Sequence, residues 1–375
     1  MDSNNSSLLL SSSSVLLHHQ KHQLDSSFWE KQIKVPKQFI WPKGDLVEVQ
    51  EELNEPLVDL EGFFKGDEMG TQQAARRIRE ACLKHGFFQV INHGVDSRVL
   101  SAAYDQTAKF FKLPPTLKSR VKKIPEATSG YASSHTDRFS SKLPWKETLS
   151  IDFHENSQEP VVVNYFKSHL GEDFEQTGLI FQKYSEAMKC LSLGIMELLA
   201  ISLGVDRFFY RNFFEDCCAL VRCNFYPVCK ETGLTLGTGP HRDPTSLTIL
   251  YQDEVGGLDV FTNNKWMSVR PRPGALVINI GETFTALSNG IYKSCLHRAV
   301  VNTDKERISL AFFVNPRDDK VVIPPSDLLG NQGTRMYPDF TWSDLLRFTQ
   351  FHYRADSDSL KNFTKWFLSS KSLNP

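Results

Sequence analysis

"GPHRDPTSLTILYQ", Gly239–Gln252, joins two kinds of sequence. Its first half holds Pro240, Asp243 and Pro244, all turn-forming residues. Its second half is the apolar, β-branched run of a strand. A turn accounts for the prolines. It does not account for a His and an Asp two positions apart, and a metal site would. In extended chain, residues i and i+2 point the same way. His241 and Asp243 are therefore expected to face the inside of a barrel together from the mouth of one strand.

Short strands surround this stretch. Alternation and apolar runs predict them at 219–226, 245–251, 257–261, 266–269, 275–280, 297–302 and 307–314. Turn signals separate them at Gly256-Gly257, Asn263-Asn264, Pro273-Gly274 and Ser288-Asn289-Gly290. Many short strands with frequent turns indicate a sandwich or jelly-roll barrel.

Upstream the period lengthens. "QQAARRIREACLKHG" puts Ala74, Ile78, Ala81 and Cys82 on one helical face, with Gly86 as its stop. "FFQVINHG" reads as a buried strand, and Asp96 or Ser97 caps a helix ending near Phe110–Phe111. A long helix over 178–204 turns Leu179, Ala187, Leu191, Ile195 and Leu198 to one side and ends at Gly204. "VPKQFIWP" (35–42) is an extended segment, "PLVDLEGF" (56–63) a short strand, and 113–175 irregular. Helices over 342–350 and 357–369 close the chain.

The expected fold is mixed α and β: a double-stranded β-helix (jelly-roll) core with a helical N-terminal region and C-terminal helices. Its parts are a disordered tail over 1–35, an N-terminal region over 56–160, a jelly-roll domain over 217–317 and a C-terminal helical segment over 318–375.

Composition narrows the function. The 375 residues include 40% hydrophobic and 23% charged residues, ordinary for a globular chain. The net charge of −1 recommends neither nucleic acid nor an anionic membrane as partner. The 27 Phe can build a large core and line a roomy apolar pocket. Seven Cys without a CxxC pair read as reduced thiols in a cytoplasmic protein. No apolar stretch approaches the roughly 18 residues of a membrane span. The Ser-broken N-terminus lacks the basic region of a signal peptide. A monomer is expected.

Two ligands make a poor metal site. A third candidate, His297 in "KSCLHRAVVN", again sits at a strand edge. Two His and one carboxylate on a β-barrel match the facial triad of non-haem Fe(II) oxygenases, which leaves coordination positions open. Shortly after comes Arg307-Ile308-Ser309, whose alternation puts Arg307 and Ser309 on one face. A guanidinium forks a carboxylate and a hydroxyl adds a donor. The expected ligand is a small dicarboxylate, one end on the metal and the other on Arg307.

At this point the sequence resembles the plant 2-oxoglutarate/Fe(II)-dependent dioxygenases, from about residue 35 onward. "NFYPVC" (224–229), "GPHRDPTSLTIL" (239–250), "VGGLDVF" (255–261), "GALVINIG" (274–281), "LSNGIYKSCLHRAVVN" (287–302) and "RISLAFFVNP" (307–316) follow the family's order, as do "PLVDL" (56–60), "GFFQVINHGV" (86–95) and "FFKLP" (110–114). "LPWKET" (143–148), "FIWP" (39–42) and "LTLGTGPH" (234–241) are similar to its gibberellin 20-oxidase branch. The resemblance implies Fe(II) on His241, Asp243 and His297, with Arg307 and Ser309 on 2-oxoglutarate, O2 as oxidant, and ascorbate for full activity. It implies a contact from Tyr226 to 2-oxoglutarate and a bracing role for Asn224.

The implied substrate is a diterpenoid carboxylate, a C20 gibberellin oxidised at carbon 20 to a C19 product. Lys146 is the candidate partner for its carboxylate and Trp145 a candidate wall; a surface ion pair with Glu147 is the plain alternative for Lys146. The chain departs from the family at Val228, at Glu282 where Asp is usual, and at Arg242 between the ligands. Glu282 is expected to shift a wall contact near the substrate, and Arg242 to point away from the iron. Three other readings stay open: a sister dioxygenase (a gibberellin 3- or 2-oxidase or a flavonoid oxidase), a non-catalytic ligand-binding barrel, and a zinc hydrolase on a jelly roll.

Overall fold

The computed structural model describes residues 28–29, 32, 34–124, 127–134, 142–155, 159–329, 333–351 and 358–372. The expected tail falls mostly outside these residues. Its end does not behave as a tail: Trp29 and Val35 are buried in a small cluster with Phe39 and Trp145. Large rings beside an apolar wall bury more surface than a solvated strap would. The segment over 35–42 is also tighter than expected, with a 3-10 turn at Lys37–Phe39.

The strands are β1 (Leu57–Asp59), β2 (Phe87–Ile91), β3 (Gly130–Ser133), β4 (Glu147–Phe153), β5 (Cys218–Tyr226), β6 (Thr238–His241), β7 (Leu247–Gln252), β8 (Leu258–Thr262), β9 (Lys265–Ser268), β10 (Leu276–Ile280), β11 (His297–Ala299), β12 (Arg307–Asn315), β13 (Val321–Val322) and β14 (Phe340–Thr341). Among the described residues β13 and β14 pair with each other, so the segment over 318–375 is not wholly helical; the other strands form a major sheet, ordered β1-β2-β10-β7-β12-β5-β4-β3, and a minor sheet, β6-β11-β8-β9. These are the two walls of the predicted jelly roll. Asn263 and Asn264 take the φ values of 50° and 61° that the tight β8–β9 hairpin needs.

The helices are α1 (Glu61–Phe64), α2 (Glu68–Lys84), α3 (Ser97–Phe111), α4 (Pro115–Lys118), α5 (Val161–Leu170), α6 (Glu175–Leu203), α7 (Phe209–Phe213), α8 (Glu282–Leu287), α9 (Trp342–Phe351) and α10 (Ser359–Ser372). Asp67 and Asp96 cap α2 and α3 by accepting from backbone N–H groups. Gly204, at φ 76°, ends α6. These helices cover the outer face of the major sheet, where Leu149, Ile151, Phe153, Leu310, Phe312 and Val314 join one core with α6.

Four expectations need correction. The segment over 113–175 is not irregular: it holds β3, β4 and α5, and β4 pairs residue for residue with β5. "ETLSIDF" alternates apolar and polar as a strand should, but its Glu and Ser mask the signal until a partner strand is known. "PLVDLEGF" splits into β1 and α1. Leu179 is 40% exposed, because the start of α6 packs on α5 through Gly178 and Phe181 instead, and Ala187 is only half-buried. The inward face is instead Phe181, Tyr184, Met188, Leu191, Ile195 and Leu198. Finally, β11 stops at Ala299, short of the predicted 302.

Candidate active site

His241 and Asp243 do not share a strand. His241 is the last residue of β6 in the minor sheet, and Asp243 lies in the loop crossing to β7 in the major sheet. Alternation along one strand is therefore not what brings them together. The crossing does. His297, first residue of β11, pairs in register with His241, and the two rings stand 4.1 Å apart. His241 Nε2 is 3.6 Å and His297 Nε2 3.7 Å from Asp243 Oδ1. The three ligand atoms fit within 4.8 Å of one another, a spacing that could hold a metal ion.

Neighbouring groups leave one donor atom free on each side chain. His241 Nδ1 is 2.9 Å from Gly239 O and His297 Nδ1 is 3.1 Å from Cys295 O. A carbonyl accepts only from N–H, so both rings carry the proton on Nδ1 and turn a bare Nε2 inward. Asp243 Oδ2 accepts from Thr248 Oγ1 at 2.7 Å and Asn279 Nδ2 at 2.9 Å, leaving Oδ1. Burial, then the charge of His297, pushes the His241 imidazole down to about 3. Burial alone would raise the Asp243 carboxyl. The neighbouring His297 and His241 rings and the bonds from Asn279 and Thr248 outweigh it and hold the group below the usual carboxylate range. A neutral imidazole and an ionised carboxylate are the forms that bind metal.

The loop holding Asp243 has no slack. Gly281 N donates to Ser246 O, Glu282 N donates to Asp243 O at 2.8 Å, and a Cβ on Gly281 would meet Thr245 O at 1.8 Å. Overpacking typically costs about 1–3 kcal/mol, and here the obstacle is backbone. Gly281→Ala is expected to lower both Tm and affinity for Fe(II). Parent-like melting and iron binding in that variant would show that the loop yields.

The second half of the site lies on the inner face of the major sheet. Arg307 of β12 pairs with Tyr226 of β5, and Ser309 with Asn224. The Arg307 guanidinium sits 4.9 Å over the Tyr226 ring, and its Nη2 donates to Gln252 Oε1 at 2.9 Å. Its buried Nε has no hydrogen-bond partner among the described residues, and it forms no ion pair there. Ser309 Oγ accepts from Asn224 Nδ2 at 3.3 Å and keeps its own proton to donate. Asp253 and Asp259 feel the charge of Arg307 without reaching it, so a buried donor is left open, and a carboxylate ligand would complete it. The donor set therefore fits both groups: a metal at the His/Asp cluster and an anion at Arg307.

Lys146 is buried rather than at the surface, and Glu147 pairs with Lys118 instead. Its Nζ donates to Thr238 Oγ1 at 2.9 Å and lies 3.5 Å from Asn224 Oδ1. Glu147 points to the opposite face. Trp145 lies in the aromatic cluster of the N-terminal strap, 4.8 Å from Trp29 and 5.2 Å from Phe39. Arg242 does turn away from the His/Asp cluster: its Nη1 donates to Ser294 O, tying the Asp243 loop to the segment before His297. Glu282 is buried and accepts from Leu360 N at 3.0 Å at the start of α10, so its contact is with the C-terminal helix. Burial, against that bond and the charge of Arg242, raises its carboxyl to about 8.

Sequence reasoning missed Thr248, Asn279, Gln252 and Thr238. Asn279 was the most accessible, a lone amide inside the apolar run "LVINI". Such a residue in a buried strand needs a partner.

Two family models match the chain: the 2OG-Fe(II) oxygenase superfamily over residues 217–316, and the N-terminal region of non-haem dioxygenases in morphine synthesis over 56–170. Gibberellin 20 oxidase 2 of Oryza sativa subsp. indica is 56% identical over 89% of this chain and 85% of its own length. Gibberellin 20 oxidase 1 of Arabidopsis thaliana is 53% identical, covering 92% and 91%. Among solved structures, JOX2 in complex with 2OG, Fe and JA superposes with a TM-score of 0.76 at 31% identity, over 90% of this chain and 96% of that one. The dioxygenase for auxin oxidation in rice gives a TM-score of 0.68 at 27% identity, over 82% and 98%.

Proposed function

Because this chain belongs to the 2OG-Fe(II) oxygenase superfamily, we infer that it is a gibberellin 20-oxidase, an Fe(II)- and 2-oxoglutarate-dependent dioxygenase that oxidises carbon 20 of C20 gibberellins in successive rounds to C19 gibberellins. The observation that carries the subfamily is identity of 47–56% to gibberellin 20 oxidases over most of the chain. The chemistry rests on the cluster of His241, Asp243 and His297 together with a buried Arg307 whose Nε has no hydrogen-bond partner among the described residues.

When bound, iron and 2-oxoglutarate supply the oxidation of an unactivated C–H bond by O2, with succinate and CO2 as coproducts. The residues do the rest. His241, Asp243 and His297 would hold the metal through Nε2, Oδ1 and Nε2, a set of three protein ligands that suits non-haem Fe(II). Arg307 and Ser309 bind the distal carboxylate of 2-oxoglutarate, fixing which end faces the metal. Tyr226 supports the guanidinium and Asn224 orients the Ser309 hydroxyl. Lys146 offers its ammonium from the same inner face to a substrate carboxylate.

Among the described residues no helix is long and apolar enough to cross a membrane. Seven free thiols fit the reducing cytoplasm. The expected partner is the small diterpenoid itself, bound by a monomer, since the balanced net charge of −1 offers no field for nucleic acid.

The test is incubation of the purified protein with Fe(II), ascorbate, 2-oxoglutarate and O2 against C20 and C19 gibberellins, with products identified by mass spectrometry. Loss of carbon 20 from the C20 substrates is expected. Hydroxylation of only C19 gibberellins would reassign the enzyme to a sister activity. Succinate release that does not depend on iron and 2-oxoglutarate would remove it from this chemistry.

A further inference from the structure

Lys146 and Glu147 are adjacent, opposite in charge, and both buried. They stand where β4 begins, and strand alternation sends them to opposite faces. Lys146 enters the barrel beside Asn224 and Thr238. Glu147 leaves it and enters a cage. Its Oε1 accepts from Trp29 Nε1 at 2.9 Å. Its Oε2 accepts from Lys118 Nζ at 2.8 Å and from Tyr131 Oη at 2.6 Å. Lys118 also donates to Phe111 O at 3.1 Å, and both side chains of the Lys118–Glu147 pair are only 1% exposed.

A buried ion pair of this kind rarely adds stability over apolar residues of equal volume. What it supplies is direction. Leu149, Ile151 and Phe153 fix the register of the middle of β4 by facing the helices. Their packing stops short of its first residue, which is paired with Ser133 and Phe225. Two further contacts grip that end. Trp145 N donates to Leu236 O at 2.9 Å, and the Trp145 ring is enclosed by Trp29 and Phe39. The strap that carries Trp29 and Phe39 is tied down by Trp41 N to Leu234 O at 2.9 Å and Leu143 N to Gln38 O at 2.9 Å.

We propose that the Trp29–Glu147–Lys118–Tyr131 cage is the clamp that commits Lys146 to the barrel interior, which makes Trp29 a positioning residue for recognition of an acidic substrate. This rests on the reading that Lys146 meets the substrate carboxylate. In the "LPWKET" stretch the two layers divide the work: Trp145 and Glu147 anchor outward, and Lys146 acts inward. The N-terminal strap, remote in sequence from the metal ligands, is then part of the substrate site.

The test is a cycle of Trp29→Phe and Lys146→Met in the full-length protein, with Tyr131→Phe as a second removal of a Glu147 donor. Trp29→Phe keeps a ring in the cluster and removes only the N–H. KM is read for the gibberellin that the parent turns over best and, separately, for 2-oxoglutarate; KM does not depend on the fraction of protein that folds. Removing the N–H donor to the Glu147 carboxylate is expected to raise the gibberellin KM roughly three- to tenfold, a fraction of what loss of a bond to a charged group costs where it is felt directly, with the 2-oxoglutarate KM unchanged, and Tyr131→Phe should move it the same way. Lys146→Met should raise the gibberellin KM roughly ten- to hundredfold, as loss of a charged bond does. Trp29→Phe should add nothing in that background. An effect of Trp29→Phe that persists with Lys146→Met, that appears equally in the 2-oxoglutarate KM, or that is absent would overturn the clamp. If Lys146→Met itself leaves the gibberellin KM unchanged, the reading of Lys146 fails and the clamp's purpose fails with it.

Discussion

Replacing His241 with Ala is expected to abolish iron-dependent release of succinate from 2-oxoglutarate. The variant keeps Asp243 and His297, whose own orienting bonds to Asn279, Thr248 and Cys295 O do not involve His241. The fold should therefore survive while the metal loses a facial ligand. Loss of a group that merely orients a ligand typically costs about 10–100-fold in metal affinity or activity, and loss of the ligand itself should cost more. Metal content of the purified variant and succinate formation under saturating 2-oxoglutarate measure the two effects separately. Full iron occupancy with parent-like turnover would show that the metal sits elsewhere.

Arg307→Lys should raise the KM for 2-oxoglutarate while iron binding stays intact. The substitution keeps one positive charge and removes the fork. A charge-assisted hydrogen bond contributes about 1.5–3 kcal/mol, so the loss of one predicts roughly a ten- to hundredfold rise. A second effect pushes the same way. Lys cannot hold the plane over Tyr226 and still reach Gln252 Oε1, as the guanidinium does at 4.9 Å and 2.9 Å. The check is the KM for 2-oxoglutarate beside iron affinity measured without it. An unchanged KM would mean that the carboxylate is bound by another cation, and Lys146 would be the first to examine.

The chemistry was unusually legible in the sequence. Metal and carboxylate sites need particular side chains, and few substitutes serve. His241, Asp243, His297, Arg307 and Ser309 could be picked out because their order along predicted strands was more specific than any one of them. The partners that tune them were not legible. Thr248, Asn279 and Gln252 are common residues whose meaning depends on which strand lies alongside. Gln252 reaches Arg307 because β7 pairs with β12, and Asn279 reaches Asp243 because β10 pairs with β7. Pairing between strands distant in sequence leaves no local periodic trace.

The same limit explains the errors of placement. His241 and Asp243 did converge, but through a crossing between two sheets and not through alternation on one strand. The segment over 113–175 seemed irregular because β4 mixes Glu147, Thr148, Ser150 and Asp152 with its apolar residues, and its polar face turns inward to a barrel that only assembly creates. Lys146 and Glu147, a plausible surface pair when read side by side, are separated by the sheet itself.

By itself the sequence determined the period of most elements, the jelly-roll class and the three residues that could hold the iron, because local propensity and ligand chemistry act on residue identity and short spacing. Tertiary structure decided which donor atom of each ligand is free, that the buried Arg307 Nε lacks a hydrogen-bond partner among the described residues, and that Lys146 faces inward while Glu147 is caged outward. Those outcomes depend on burial and on contacts between residues far apart in the chain, and burial exists only once the sheets have closed.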